Sequence, residues 1–181
     1  MLLGSSYNFV AAQTSKITDP GIIQLTKRHT QPKPDVFKEL TAQDRKNYLL
    51  TIDQSKIGKP HDKVFNVPVK LSNLSNDTLR YLSMTCSWEV FFSINNKKLN
   101  FSGWVCDSNF PIDKLVSPHK SATYNIPVLT DGPIRDNKFR IGINLFIINR
   151  QSRNFILYSA MRSFDFKTKN LIWSNEVQLP K

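Results

Sequence analysis

The sequence predicts an all-β protein, an immunoglobulin-like antiparallel β-sandwich with an extended N-terminal arm. From residue 63 onward, short segments alternate apolar and polar residues with the period of two that half-buried strands require. Clusters of turn-forming Asn, Asp, Gly and Pro residues separate these segments. No stretch of about ten residues carries a convincing helical pattern. About seven to nine strands joined by turns therefore predict two facing sheets, with a closed barrel as the alternative.

The first predicted strands follow one another closely. Residues 48–52 are apolar enough for a strand, and residues 65–71 then alternate strictly. Pro68 lies inside this alternation, and because proline has no N–H to donate, it predicts a sheet edge or a gap in the hydrogen-bond ladder. A further strand over residues 78–88 would place four side chains on one face: Leu82, Met84, Cys86 and Trp88. Asn95 and Asn96 then predict a tight hairpin turn.

The later segments extend the same pattern. Two prolines, Pro111 and Pro118, predict a loop between them, and residues 122–129 predict a strand that ends in a turn at residues 130–133. The longest alternation follows and puts five apolar side chains on one face: Phe139, Ile141, Ile143, Leu145 and Ile147. Residues 155–161 and 171–177 predict the last two strands.

The N-terminal third differs from the rest of the chain. Residues 1–13 resemble the end of a secretory signal peptide, with small residues before Gln13; an N-terminal strand or arm that packs on the domain is the alternative. Residues 14–46 are polar and proline-bearing, which predicts an extended arm or linker. Within it, Thr41 and Asp44 have the spacing of a capped helix start, so a short helix is expected there. The β-sandwich domain then covers residues 47–181.

The two cysteines indicate the compartment. Cys86 and Cys106 could form one disulfide in an oxidising environment, although two buried free thiols are the alternative. Closing a loop of this length would stabilise the fold by about 3 kcal/mol in the chain-entropy model. Two cysteines without a histidine pair at ligand spacing cannot build a structural zinc site. We therefore expect no metal.

Tryptophans accompany both cysteines. Trp88 lies two residues after Cys86, and Trp104 lies two residues before Cys106. Indole rings packed over a core disulfide are the favoured interpretation, and the alternative is an aromatic surface for a ligand such as a sugar. Trp173, near the C-terminal end, belongs to the same candidate aromatic surface.

The chain carries a formal net charge of +11, from 25 Lys and Arg residues against 14 Asp and Glu residues. Such an excess favours polyanionic partners, but the cations are scattered and no nucleic-acid-binding motif is present. No apolar run reaches the roughly 18 residues that a membrane-spanning helix needs. A solvated basic surface is the simplest interpretation.

Parts of the chain also resemble a known group of proteins. From Leu74 to Trp88, and again from Asn170 to Glu176, the sequence is similar to small, uncharacterised extracytoplasmic β-sandwich proteins of Bacteroidetes-type bacteria. The resemblance covers about residues 60–177; it implies export and a sandwich fold and no known activity. Asp77–Leu79 also resembles the O-linked glycan acceptor pattern of exported proteins in that phylum, which makes Thr78 a candidate acceptor. An unmodified turn is the alternative.

These observations favour a binding protein over an enzyme. The sequence has no nucleophile elbow, phosphate-binding glycine loop or dinucleotide fingerprint, so we expect no catalytic residue and no cofactor. A hydrolase is less favoured, and its acids would come from Asp53, Glu89, Asp107, Asp113 and Glu176. We expect an extracytoplasmic (periplasmic, outer-membrane-associated or secreted) interaction module, an accessory subunit of a cell-envelope or surface assembly with protein partners. A polyanion- or glycan-binding domain is the alternative.

Overall fold

The computed structural model describes residues 37–59, 61, 63–103, 109–132, 137–149 and 170–180. These residues form antiparallel strands with one short helix, so the prediction of an all-β protein is confirmed. The strands are β1 (Phe37–Lys38), β2 (Tyr48–Ile52), β3 (Val64–Asn73), β4 (Leu79–Met84), β5 (Phe92–Ile94), β6 (Leu99–Phe101), β7 (Pro111–Val116), β8 (Ser121–Thr130), β9 (Lys138–Phe139), β10 (Ile141–Asn144), β11 (Ile147–Ile148), β12 (Leu171–Trp173) and β13 (Val177–Gln178). Helix α1 (Ala42–Asn47) and two 3₁₀ turns (Gln54–Lys56 and Trp88–Phe91) complete the described part.

One four-stranded sheet has the order β2-β3-β8-β6. Its central pair follows the predicted alternation: Val67, Val69 and Leu71 of β3 are fully buried, whereas Asn66 and Lys70 are exposed. Pro68 lies at a gap in the hydrogen-bond ladder, one of the two places predicted for it. Strand β3 is central, but its ladder with β2 ends at the pair Ile52–Val69. Pro68 is the residue just beyond that pair, so no residue of β2 needs an N–H from it.

The other strands form a second four-stranded sheet, β1-β11-β4-β7, with a three-stranded group, β12-β10-β5, and a pair, β13-β9. Residues 138–148 take part in all three. The predicted single apolar face ends inside this segment, because Leu145 and Phe146 are both buried and Ile148 is more buried than Ile147. There the backbone carbonyl of Phe146 accepts from the N–H of Leu82 at 2.9 Å. The segment therefore changes its inward face.

The predicted hairpin at Asn95 and Asn96 is wrong. Strand β5 pairs with β10, whereas β6 pairs with β8, so the chain crosses here from one sheet to another. The asparagine side chains bind the neighbouring strands instead: Asn95 Oδ1 accepts from the N–H of Arg140 at 2.6 Å, and Asn96 Nδ2 donates to the carbonyl of Lys138 at 3.0 Å. The two asparagines therefore anchor the chain where it crosses between sheets, rather than forming a hairpin turn.

Three further predictions need correction. The predicted loop between Pro111 and Pro118 contains strand β7, and the last predicted strand is split into β12 and β13. The strand predicted over residues 78–88 ends at Met84, so Cys86 follows it and Trp88 begins a 3₁₀ turn. The two residues therefore do not share a strand face. Residues 155–161 lie outside the described part of the chain.

A common apolar core joins the sheets. The β2-β3-β8-β6 sheet and the remaining strands both contribute fully buried side chains to it. The former supplies Leu50, Val67, Leu71, Ile126 and Val128, and the latter supply Leu79, Tyr81, Ile141 and Ile143. Complete burial of one such aliphatic side chain stabilises the fold by roughly 1.5–3 kcal/mol. The apolar residues of the alternating segments thus form the core, as the sequence pattern predicts.

The described end of the predicted arm packs on this core. Phe37 lies opposite Ile148 in β11, and its ring stands 5.7 Å from that of Phe146. Helix α1 begins with the expected capping box, in which Thr41 and Asp44 each accept from the other's backbone N–H. The candidate signal remnant at residues 1–13 and the arm up to residue 36 lie outside the described residues.

A candidate edge strand and groove

The structure describes four of the six residues that the sequence singles out. Trp88 is half-buried in its 3₁₀ turn, Trp173 lies on β12 with 39% of its surface exposed, and Thr78 is exposed just before β4. Cys86 is half-buried in the loop after β4. Trp104 and Cys106 lie outside the described residues, so the disulfide and the paired-indole arrangement stay predictions.

Trp173 rests on a glycine. It is the cross-strand partner of Gly142 in β10, and a Cβ added to that glycine would lie 2.9 Å from Trp173 Cε3 and 2.8 Å from Leu171 Cδ1. Glycine leaves room for the ring to lie over the strand backbone, a common way of covering glycine in a sheet. One side of the indole is packed by this contact, and the rest contributes to the surface.

Trp88 is held by two aromatic neighbours. Its ring stands 5.6 Å from Phe92 at an interplanar angle of 88°, and 5.9 Å from Tyr124 at 41°. Phe92 and Tyr124 also contact each other at 5.3 Å. The contact with Phe92 is edge-to-face and the contact with Tyr124 is tilted. Aromatic pairs of this kind contribute about 0.5–1.5 kcal/mol each beyond area burial. The indole is therefore presented in one orientation.

An open groove of about 570 Å³ lies beside this indole. We call it the Trp88 groove, and its lining consists of Lys56, Asn66, Pro68, Trp88, Asn125 and Pro127. The four central residues are cross-strand partners on the outer face of β3 and β8, Asn66 with Pro127 and Pro68 with Asn125. Its described lining residues supply two amides, one ammonium, two proline rings and an indole.

The second feature is the edge of the sheet at β7. The backbone carbonyl of Phe110 accepts from the N–H of Thr85 at 3.0 Å. Because every second residue of an antiparallel strand bonds the same neighbour, the backbone groups of Ile112, Lys114 and Val116 then hydrogen-bond β4. The backbone N–H and C=O groups of Asp113 and Leu115 consequently point away from the sheet. We call this side of the strand the β7 edge. Among the described residues no strand pairs with it.

Other sheet edges are shorter or capped in the described part of the chain. Strand β2 has five residues, and the Asn175 side chain both donates to the carbonyl of Ile52 at 3.0 Å and accepts from its N–H at 2.8 Å. Strands β1 and β6 have two and three residues. Strand β7 has six, and its Leu115 is 58% exposed, the largest value among the big apolar side chains described.

Charges around the β7 edge are mixed. Arg80 Nε lies 3.0 Å from Asp113 Oδ2 on the outer face of the sheet. On the inner side, Lys114 Nζ stands 4.9 Å from the centroid of the Tyr124 ring, a cation–π contact. Tyr124 in turn hydrogen-bonds Tyr81 through the phenol oxygens. Burial raises the pKa of both phenols, so both stay neutral at physiological pH.

Three of the acids that a hydrolase would need lie beside cations. Asp113 pairs with Arg80, Glu176 lies 3.6 Å from Lys138, and Asp53 lies 3.3 Å from Lys56. Hydrogen bonds from the side chain and backbone of Ser55 lower the pKa of Asp53, the opposite of what a general acid requires. Asp107 lies outside the described residues. No group of three potential metal ligands occurs among the residues that the structure places.

Sequence reasoning named Trp88 as part of a candidate aromatic surface, but it missed the other residues of the Trp88 groove and the β7 edge. The signal for the groove was present, since the alternation of β3 and β8 turns Asn66, Pro68, Asn125 and Pro127 outward together. The edge could not be found this way, because it depends on which strand pairs with which. No helix in the described part of the chain is long and apolar enough to span a membrane.

Comparisons with known proteins add little. Neither protein-family models nor curated proteins match the chain. Among solved structures, the yjhA protein from Bacillus subtilis is similar at 12% sequence identity and a TM-score of 0.37, over 74% of this chain and 92% of that one. A similarity of this size transfers neither fold nor function.

Proposed function

We propose that this chain is a non-catalytic extracytoplasmic interaction module, an immunoglobulin-like antiparallel β-sandwich with an extended N-terminal arm. In this proposal it is an accessory subunit of a cell-envelope or surface protein assembly. The β7 edge is the observation that supports the role. An edge strand with outward N–H and C=O groups can accept an extended segment of a partner as an added strand.

The magnitudes indicate a modest affinity for this contact alone. Asp113 and Leu115 offer about four backbone hydrogen bonds, each with a net contribution of roughly 1 kcal/mol. Burial of the exposed Leu115 side chain would add up to about 2 kcal/mol. These contributions give a Kd of roughly 0.1 mM before the cost of ordering the partner, so further contacts, such as those of the arm, must contribute.

A site-specific photo-cross-linker at Leu115 tests this role in the native cell envelope. The matched control carries the same group at Leu49, which is 47% exposed but lies on β2, where its backbone groups bond β3. We expect a discrete cross-linked protein from position 115 and none of the same mass from position 49.

The substitution Leu115→Pro sharpens the test. It removes an outward-pointing N–H and leaves every hydrogen bond between β7 and β4 intact. Pro111, four residues earlier in β7, is already a proline at an equivalent outward position. We expect the variant to fold and to lose co-purification of the cross-linked protein. Co-purification of that protein with a folded Leu115→Pro variant would refute the role of the β7 edge.

The proposal includes export and a disulfide between Cys86 and Cys106. Mass spectrometry of the protein isolated from its native envelope, digested without reduction, tests both. We expect a linked peptide pair that contains the two cysteines, and a glycan mass at Thr78 if the acceptor pattern is used. Free thiols at both positions would argue for a reducing compartment and against export.

Binding of polyanions or glycans through a basic surface with aromatics is the second candidate, and the net charge of +11 favours the polyanionic form of it. It predicts retention on heparin that falls steeply with salt, because counterion release drives such binding. Elution at the same salt as a protein of similar size and near-zero net charge would remove this candidate.

A further inference from the structure

The Trp88 groove contains two side-chain amides, those of Asn66 and Asn125, that no described residue engages. Asn66 and Asn125 are both exposed, and neither side chain hydrogen-bonds another of the described residues. Each amide offers two donor hydrogens and one acceptor oxygen, which is the combination that neighbouring sugar hydroxyls can satisfy. The groove therefore presents unused hydrogen-bonding capacity at a fixed place.

The strand register sets the spacing of these amides. Asn66 lies opposite Pro127, and Pro68 lies opposite Asn125, in pairs that do not exchange backbone hydrogen bonds. Side chains approach most closely in such pairs. The two amides are thus diagonal neighbours, about 7–8 Å apart at the backbone, with proline rings filling the other corners. This spacing is comparable to the width of one pyranose ring.

Two further side chains line the groove, Trp88 and Lys56. Trp88 is already oriented by Phe92 and Tyr124, so a stacked ligand would not have to order it. Lys56 is a hydrogen-bond donor, and its ammonium lies 3.3 Å from Asp53. This partner offsets the positive charge, which disfavours a site specific for anions.

From this arrangement we propose that the Trp88 groove binds one pyranose unit of a neutral glycan. The apolar face of the sugar packs on the indole and the proline rings, while its hydroxyls bond the amides of Asn66 and Asn125. The site is separate from the β7 edge, since it lies on the outer face of β3 and β8. Recognition of a sugar thus adds to the protein-contact role and does not depend on it.

Titration with neutral oligosaccharides tests the proposal. The probes are linear oligomers of glucose, mannose and N-acetylglucosamine, and binding is followed by tryptophan fluorescence and by calorimetry. We expect saturable binding of at least one probe with a Kd in the millimolar range or below. Asn66→Ala and Asn125→Ala should each weaken it about 3- to 10-fold, the loss expected for one or two neutral hydrogen bonds.

Asn100→Ala is the matched control, because Asn100 is an exposed strand asparagine outside the groove lining. It should leave the affinity unchanged, and so should Leu115→Pro, which separates this proposal from the β7 edge. Absence of binding by every neutral probe would overturn the proposal. Binding that both alanine variants leave intact, or saturation by heparin or a proline-rich peptide alone, would overturn it as well.

Discussion

Tyr81 and Tyr124 hydrogen-bond each other through their phenol oxygens in the space between two sheets. Tyr81 belongs to β4 and is 2% exposed, and Tyr124 belongs to β8 and is 8% exposed. Each hydroxyl depends on the other, because a buried phenol without a partner loses the hydrogen bonds it makes to water in the unfolded chain. The pair therefore couples the two sheets through a polar contact inside an apolar core.

Removal of one hydroxyl should cost more than half the cost of removing both. Tyr81→Phe and Tyr124→Phe each leave a buried phenol without a partner, so each should lower the free energy of unfolding by about 1–3 kcal/mol. The double variant should cost less than the sum, with a coupling of about 0.5–3 kcal/mol. Urea unfolding of the four proteins measures this cycle, and strict additivity would contradict the coupling.

Asn73 should contribute strongly to stability through its buried side-chain amide. It is fully buried, and its amide nitrogen donates to the carbonyls of Asp77 at 2.7 Å and Val116 at 2.9 Å. Asn73→Asp would place a carboxylate against these carbonyl oxygens, so we expect a loss of about 3–5 kcal/mol at neutral pH. Asn100→Asp, on an exposed strand position, should cost less than about 0.5 kcal/mol. Equal losses in thermal or urea unfolding would contradict this assignment.

Acid should weaken the attachment of helix α1 through Asp44. Burial raises the pKa of this carboxyl, but hydrogen bonds from Lys38 at 2.9 Å and from Thr41 outweigh burial and leave the pKa lowered. Asp44 therefore stabilises the fold above the unfolded pKa of about 3.9, and this contribution is lost as the pH falls through the lower folded value. The stability difference between wild type and Asp44→Asn should be constant above about pH 5 and shrink from there down to about pH 2.

Lys38→Met provides the control for this pH effect. It removes the ion pair and keeps the Thr41 hydrogen bonds, so it should reduce the acid-dependent loss without abolishing it. The free energy of unfolding at a series of pH values measures all three proteins. A wild-type profile parallel to that of Asp44→Asn would show that the carboxyl has the same pKa folded and unfolded.

Gly142 should not accept even one additional carbon atom. Its Cβ would lie within 3.0 Å of both Leu171 and Trp173, so Gly142→Ala must displace the indole or the strand. Overpacking of this kind costs about 1–3 kcal/mol. Gly58→Ala is the control, since its nearest contact would be 3.9 Å away. We expect unfolding experiments to separate the two variants, and equal stabilities would contradict the packing of Trp173 on Gly142.

The sequence predicted correctly those features that depend only on residues a few positions apart, namely strand alternation and helix capping. The alternation of β3 identified which of its side chains are buried, and the spacing of Thr41 and Asp44 identified the start of α1. These features need no knowledge of distant residues, because side-chain alternation and capping act within a few positions of the chain.

The errors arise where pairing is non-local. Asn95 and Asn96 have the composition of a hairpin turn, but their flanking strands pair with β10 and β8, which a local window cannot reveal. Pro111 suggested a loop, but it lies in edge strand β7 at a position where an N–H would point away from the sheet. The lack of an N–H therefore costs no hydrogen bond to β4. The β7 edge and the Tyr81–Tyr124 contact likewise depend on residues more than 25 positions apart.

Amide hydrogen exchange along β7 tests the proposed edge most directly. In the purified chain we expect slow exchange at Ile112, Lys114 and Val116, which bond β4, and fast exchange at Asp113 and Leu115. The fast pair should become protected when the cross-linked partner is added. Equal protection of all five amides in the purified chain would mean that the edge is already covered, and the proposed role of β7 would be wrong.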